Sequence, residues 1–432
     1  MFRSYLEHPR IDVVLDFGCG PKVSRPKSYS IVQTTTAIVP KMTYSRCLAY
    51  TTFVAAWICS AAAQADVSLT VGYLKIEQPL PPTLSNLDPI PENNGLAGAQ
   101  TGLSDNQTTG KFLDQTYELV ETTVFEGDDP LAAAKTLLAQ TPYLVLDAPA
   151  DVLVQIADLP EADTALLFNA TSGDLSLRDS DCRANLLHSL PSDAMRTDAL
   201  AQVFVKKRWS DLVLITGTHP ADVAYASALR RSLKKFGLTL SAEKTWAFDA
   251  DMRRSASQEI PLFTQDFGDY DAMILADEVH DFGRYVLYNT WEARPITGSE
   301  GLSAVTWSPT IEQWGAAQLQ SRFEKAHARE MTSEDYAAWA AVRSLGEAVT
   351  RTNTDDPASL RAYILSEEFQ LAGFKGRPLT YRSWNGQLRQ PIAIAHPRAL
   401  VAQAPLEGFL HHHNELDSLG LDRPESTCEA FE

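Results

Sequence analysis

Basic residues are scarce in this chain: 37 Lys and Arg stand against 55 Asp and Glu in 432 residues, a formal net charge of −18. That deficit argues against a nucleic-acid partner, because tracking a phosphate backbone takes an excess of Lys and Arg. Catalytic signatures are missing too. The chain has no G-x-S-x-G elbow, no H-E-x-x-H, no P-loop and no phosphate-cradling G-x-G-x-x-G after its first strand. Gly217-Thr218-His219 reads as a strand-end turn, not as a dinucleotide fingerprint. After residue 65 no apolar run is long enough to anchor a membrane receptor. With 44% hydrophobic and 21% charged residues, the disordered, collagen-like and multi-span membrane classes are set aside, and the length suits two globular domains.

Cysteine is also sparse, at five residues, and its placement depends on how the amino-terminal segment is read. Arg46 precedes an apolar run over residues 48–59 that is short for a membrane span but fits the core of a secretory signal. Ala63-Gln64-Ala65 puts small residues at the two positions a signal peptidase reads, so cleavage after Ala65 is expected. Met42 stands just before the charged region, which makes residues 1–41 an over-long start; a buried amino-terminal helix is the alternative. Cleavage would send a still more acidic chain, beginning at Asp66, to the periplasm. It would retain only Cys182 and Cys428. Two cysteines in an oxidising compartment suggest one disulfide, with two free thiols as the alternative. Cys59 lacks the preceding small-residue pattern of a lipoprotein signal.

Strands and helices then alternate. Val67-Ser68-Leu69-Thr70-Val71-Gly72-Tyr73-Leu74 reads as the opening strand, residues 77–95 as a Pro- and Asn-rich loop, and residues 95–115 as a helix. Residues 117–125, 143–146 and 165–168 read as strands, with helices over 130–140 and 150–157; Asp129-Pro130 is a favourable helix start. A second series follows: a helix over 198–208, the buried strand Leu212-Val213-Leu214-Ile215, a helix ending at Gly237, and the strand Ala272-Met273-Ile274-Leu275. Tyr336, Trp339, Ala340, Val342, Leu345 and Val349 form one stripe of a long core helix. Asn385-Gly386 between extended runs over 379–395 predicts a hairpin with a two-residue turn. Such alternation means α/β architecture: parallel sheets with helices on both faces.

Four strings together resemble type I periplasmic binding proteins of the branched-chain amino acid (leucine/isoleucine/valine) class. They are Leu190-Pro191-Ser192-Asp193-Ala194, residues 211–237, Ile296-Thr297-Gly298-Ser299-Glu300-Gly301 and residues 335–342. The closing strings Phe409-Leu410-His411 and Pro424-Glu425-Ser426-Thr427-Cys428 resemble the subgroup associated with pyrroloquinoline-quinone (PQQ)-dependent alcohol oxidation systems. The resemblance covers nearly the whole mature chain. It implies two Rossmann-like lobes joined by a three-segment hinge, a small-molecule ligand in the cleft between them, and closure that presents a shape to an ABC transporter permease. Under it, residues 66–190 are mainly the first lobe and 191–310 mainly the second; residues 311–432 return to both and form the tail. A monomer is expected.

In an open parallel sheet, ligands gather beyond the carboxyl ends of the strands. Here those ends are Asp147-Ala148, Asn169-Ala170-Thr171-Ser172, Thr216-Gly217-Thr218-His219 and Asp277-Glu278, all polar after apolar runs. Asp147, Asn169, Thr171, Ser172, Thr218, Asp277 and Glu278 are therefore the candidate ligand-binding residues. The resemblance adds roles. Thr171 and Ser172 fall where the first lobe offers donors to a carboxylate, although residues 169–172 depart from the family's amino-acid signature. Tyr225 falls where a tyrosine closes over the ligand, or is a helix-packing residue; Glu300 falls where an acid meets an ammonium, or is a solvated turn carboxylate.

Asp277, Glu278, His280 and Asp281 could bind a hard cation through oxygens, but acids suiting a helix N-terminus are the favoured reading. The adjacent His411, His412 and His413 point different ways and read as incidental surface residues. Neither a metal nor a cofactor is expected. The chain thus reads as a non-enzymatic binding protein for a small polar or aromatic solute linked to alcohol metabolism. A ligand sensor acting in trans, a metal-binding protein of the same system and an exported enzyme are the alternatives.

Overall fold

Alternation of Val67, Leu69, Val71 and Tyr73 with smaller or polar neighbours gives a first strand that can be covered on both faces. The computed structural model describes residues 67–79, 90–247 and 252–432. The expected signal segment and much of the expected 77–95 loop lie outside the described residues. In it β1 (Val67–Ile76) pairs in parallel with β2 (Gln115–Val124) and β3 (Tyr143–Asp147). With β4 (Leu166–Asn169) and β5 (Leu186–His188) they form an all-parallel sheet of order β2-β1-β3-β4-β5. Helices α1 (Leu96–Gly110), α2 (Pro130–Leu138) and α3 (Ala150–Ala157) make the crossovers. The start of α2 is as its sequence demands: Asp129 accepts from the N–H of Leu131 and Ala132, and Pro130 has no donor to leave orphaned.

A second parallel sheet has the order β7-β6-β8-β9. It comprises β6 (Asp211–Thr216), β7 (Thr239–Thr245), β8 (Ala272–Ala276) and β9 (Ile296–Gly298), with α4 (Asp193–Lys207), α5 (Pro220–Lys235), α6 (Met252–Thr264) and α7 (Gly283–Val286) between or before them. Helix α4 begins at Asp193, five residues before the expected start at 198, because the Ser192 hydroxyl accepts from the Met195 N–H and caps it there. The expected αL stop after α5 is present at Gly237, with φ 70°.

The chain then returns through β10 (Ser303–Val305), α8 (Ala316–His327), α9 (Ser333–Thr352), α10 (Pro357–Ile364), β11 (Leu371–Ala372), β12 (Pro378–Tyr381), β13 (Leu388–Arg389), β14 (Ile392–His396) and β15 (Ala399–Ala404). Strands β12 and β13 do pair as a hairpin, but not through a two-residue Asn-Gly turn. The loop closes with the Gln387 carbonyl accepting from the Arg382 N–H at 2.9 Å, and of the Asn-Gly pair only Gly386 has positive φ. Asn385 is instead buried, its amide bonded to Arg178 O and Gln387 N, which holds the loop open around it. Strand β14 leaves the hairpin for β10 and β15.

One apolar core contains Val71, Phe168, Tyr336, Trp339 and Leu388 around the first sheet; another contains Leu200, Leu214, Leu229, Ile274 and Ile394 around the second. The chain crosses between these two lobes three times: after β5, after β10 (Ala304 in the second core, Trp307 in the first) and between Leu388 and Ile392. This is the two-lobe α/β architecture that the alternation and the resemblance predicted. No helix among the described residues is long and apolar enough to cross a membrane.

Helix α9 is the keel of the first core. Tyr336, Trp339, Val342, Leu345 and Val349 are each at most 1% exposed, and each burial of this kind contributes about 1.5–3 kcal/mol. The helix lies so close to α1 that a Cβ on Gly98 would sit 1.8 Å from the Asp335 carbonyl oxygen. Gly98→Ala is therefore expected to force the helices apart and to cost about 3 kcal/mol, read from the urea midpoint. A midpoint equal to the parent's would contradict that contact.

The carboxyl-terminal tail reaches both lobes. The Gly420 N–H donates to Asp198 of α4 at 2.8 Å, while the Thr427 hydroxyl donates to Asp179 of the first lobe at 2.8 Å. Beside Thr427, Cys182 and Cys428 are joined in the expected disulfide, closing a loop of 246 residues.

Candidate functional site

Strand order reverses between β1 and β3 in the first sheet and between β6 and β8 in the second, so a crevice opens at the carboxyl ends of each pair. Asp147 stands at the first of these, where the Tyr73 hydroxyl donates to its Oδ2 at 3.3 Å. Burial raises its pKa to about 6, against the opposing pull of Lys75 and Tyr73. The folded state thus holds this proton more tightly than the unfolded chain, whose pKa is about 4. The resulting stabilisation is full below about pH 4 and is lost as pH rises through 6. Asp147→Asn is expected to remove that decline and to raise stability at pH 7.5; urea titrations at pH 4, 6 and 7.5 measure it, and an unchanged pH profile would rule it out.

The turn after β4 is assembled by Asn169, which is fully buried. Its Oδ1 accepts from Thr171 N at 3.2 Å and Ser172 N at 2.9 Å, and its Nδ2 donates to Ser172 O at 2.8 Å. Thr171 Oγ1 accepts from Ala148 N at 3.1 Å, joining this turn to the end of β3, while Ser172 Oγ accepts from Asp174 N. Behind the turn, Arg178, 1% exposed, donates to Ser172 O, Leu190 O and Gln387 Oε1, so the turn is welded to the first and third crossing segments.

In the second lobe Asp277 is fully buried and accepts from the N–H groups of Asp281, Phe282 and Gly283 at 2.8, 3.0 and 2.6 Å. It caps the α7 turn, as the dipole reading expected. Asp222 joins two strand ends, accepting from Glu278 N at 2.7 Å and His219 N at 3.1 Å. Glu278 is clasped by Arg196, Nη1 to Oε2 at 2.6 Å and Nη2 to Oε1 at 3.2 Å, and accepts from the Ser299 hydroxyl at 2.8 Å. Burial pushes this carboxyl up, but the charge of Arg196 and the hydrogen bonds from Arg196 and Ser299 outweigh it and hold it below the ordinary range. Arg196 also donates to Asp193 Oδ1 at 3.1 Å and to the Ala304 carbonyl at 3.2 Å, and it lies 4.7 Å over the Tyr225 ring. Tyr225 is fully buried, and its hydroxyl has no partner among the described residues. Glu300 pairs with His280 Nδ1 at 3.1 Å, and that hydrogen bond raises the imidazole to about 9.

Thr218 is exposed and stands apart, at a cavity of about 330 Å³ below the ends of β6, β7 and β8. Gly217, Asp222, Trp246, Asp281 and Phe282 line it as well, and Trp246 stacks on Phe282 with centroids 5.0 Å apart and planes at 8°. A larger hollow of about 1110 Å³ lies at the opposite, amino-terminal ends of β4 and β5, around Asp158, Arg183 and Arg361. The smaller cavity is the better candidate, because parallel sheets present helix N-termini and loops at their carboxyl ends. No group of three or more His, Cys, Asp or Glu side chains among the described residues is placed to hold a metal ion.

The structure thus brings Asn169, Thr171 and Ser172 into one turn with Asp147 next to it, and gathers Tyr225, Asp277, Glu278 and Glu300 around the end of β8. The two groups meet through Asp193, whose N–H donates to Gly173 O at 2.8 Å and whose carboxylate holds Arg196. Sequence reading missed Arg196, Asp222, Trp246 and Phe282. Arg196 lay outside the helix expected over 198–208, so its place in the first turn, where a cation opposes the dipole and needs an anionic partner, was visible only once the start at Asp193 was known.

No family model matches the chain, and no curated protein matches it. Solved structures do. A branched chain amino acid ABC transporter periplasmic ligand-binding protein from Burkholderia xenovorans superposes with TM-score 0.65 at 15% identity, over 84% of this chain and 100% of that one. The leucine-, isoleucine-, valine-, threonine- and alanine-binding protein from Brucella ovis gives 0.58 at 12%, over 76% and 88%. An ABC transporter solute-binding protein from R. palustris, in complex with benzoate, gives 0.58 at 14%, over 84% and 99%. At these identities the likeness establishes the fold: the chain has the two-lobe α/β architecture of periplasmic ligand-binding proteins of the branched-chain amino acid transporter kind.

Proposed function

We propose that this protein is the periplasmic substrate-binding component of an ABC transporter, taking a small solute in the interlobe cleft and serving a PQQ-dependent alcohol oxidation system. The observation that carries the binding role is the cavity of about 330 Å³ beyond the carboxyl ends of β6, β7 and β8, lined by Thr218, His219, Asp222 and Asp281 in the second lobe. The fold shared with ABC transporter ligand-binding proteins supports a permease as partner. The disulfide accords with an oxidising compartment, and the alcohol-oxidation link rests on the closing strings of the tail. In this reading the mature chain begins at Asp66, acts as a monomer, and divides near residues 190 and 310 into its two lobes and returning segment.

Thermal-shift screening of purified protein against alcohols, aldehydes, carboxylates, amino acids, the quinone and metal ions tests the reading. A true ligand at a hundred times its dissociation constant stabilises by about 2.7 kcal/mol. Turnover of any of these compounds would replace the binding protein with an enzyme.

A further inference from the structure

A hinge of crossing segments lets two lobes rotate through dihedral changes at a few residues, provided that nothing else joins them. In this chain the tail beyond β15 joins them too, and it does so at two places. At the first, Leu419 is fully buried in the second core, and α4 and α5 hold Gly420: its N–H donates to Asp198 at 2.8 Å and its carbonyl accepts from Lys235 at 2.9 Å. The carbonyls of Leu419 and Leu421, on either side of that glycine, accept instead from Arg382 at 2.7 and 3.0 Å. Arg382 belongs to the first lobe, since it directly follows Tyr381 of the first core.

At the second place, Glu425 stands 3.5 Å from Arg231 and 3.6 Å from Lys235 of α5 in the second lobe. The next residue, Ser426, donates to the Arg178 carbonyl of the first lobe at 3.1 Å. Thr427 follows with its N–H and hydroxyl on Asp179 at 2.5 and 2.8 Å, and Cys428 with its bridge to Cys182. Neighbouring residues of the tail are thus fastened to different lobes. One residue spans at most about 3.6 Å, so there is no slack to take up a rotation. A movement that draws α5 away from residues 178–182 has to break one set of anchors. Asp198 is fully buried and Arg382 is 1% exposed, so breaking either leaves a charged group without its partner in a dry site. The second set also lies directly behind the candidate site, because the Arg178 guanidinium donates to Ser172 O at 2.9 Å.

We propose that residues 419–428 form a strap that confines the rotation of the two lobes and so limits how far the cleft between them opens. Such a strap goes beyond the solute-binding reading and needs no ligand, so its test is made on ligand-free protein and its failure leaves that reading standing. The test is hydrogen exchange read by mass spectrometry. Inserting Gly-Gly-Ser-Gly between Glu425 and Ser426 keeps every anchor and the disulfide, and adds about 13 Å of slack. Exchange is expected to rise about tenfold in the crossing segments, residues 188–193, 304–307 and 388–392, and to keep the parent's rate in β1 and β6. Asp179→Ala under reductant frees Thr427 and Cys428 from the first lobe without touching either core, and the same pattern is expected there. Parent-rate exchange in the crossing segments of either folded variant overturns the strap. Exchange that rises equally in β1 and β6 also overturns it, because the tail then acts only on global stability.

Discussion

Arg382→Met is expected to lower stability by about 3–5 kcal/mol. The guanidinium is 1% exposed and is held by Asp417 Oδ1 at 2.9 Å, Leu421 O at 3.0 Å and Leu419 O at 2.7 Å. A methionine fills much of the volume but leaves the carbonyls of the tail's last turns without donors in a dry site. Each such orphan costs about 1–3 kcal/mol. Asp417 keeps one partner, Arg389 at 2.7 Å, which limits the loss on the charge side. Urea denaturation measures the effect, and limited proteolysis is expected to cut the variant first beyond residue 404. A loss below about 1 kcal/mol would mean that the tail is not anchored by this arginine.

The disulfide carries the second large effect. Cys182→Ser with Cys428→Ser is expected to cost about 2–5 kcal/mol, because the bridge closes a loop of 246 residues whose unfolded freedom it restricts. The expected signature is specific: reductant lowers the urea midpoint of the parent and leaves the double variant unmoved. Equal midpoints for reduced and oxidised parent would show that noncovalent contacts hold the tail unaided. Those contacts exist, since Ser426 donates to Arg178 O at 3.1 Å and Lys235 holds both Asp198 and Gly420 O at 2.9 Å.

Much of the fold could be read from local pattern. Leu212 to Ile215 and Ala272 to Leu275 are apolar on both faces because a parallel sheet covers both, and the stripe from Tyr336 to Val349 has helical spacing because one helix face is buried. The start of α4 and the width of the β12–β13 loop were not legible in the same way. One is set by a single Ser192 hydroxyl and the other by burial of Asn385 against Arg178, a contact between residues 207 positions apart.

For the site, the sequence determined where to look: polar residues after buried strands mark the carboxyl ends of parallel sheets, whatever the long-range contacts. Under the expected cleavage after Ala65, it also left Cys182 and Cys428 as the cysteines to pair. Only the tertiary structure decided which of those polar groups are free. Asn169, Asp277 and Glu278 look like ligand contacts in the chain and are internally bonded in the fold, Glu278 through an arginine 82 positions away. Hydrogen-bonding capacity is a property of residue type, whereas its saturation depends on which partners folding brings within 3 Å. That is why Thr218, already a candidate in the sequence, and Asp281, read there as part of an acidic helix start, line the cavity beside Trp246 and Phe282 while Asn169, Asp277 and Glu278 do not.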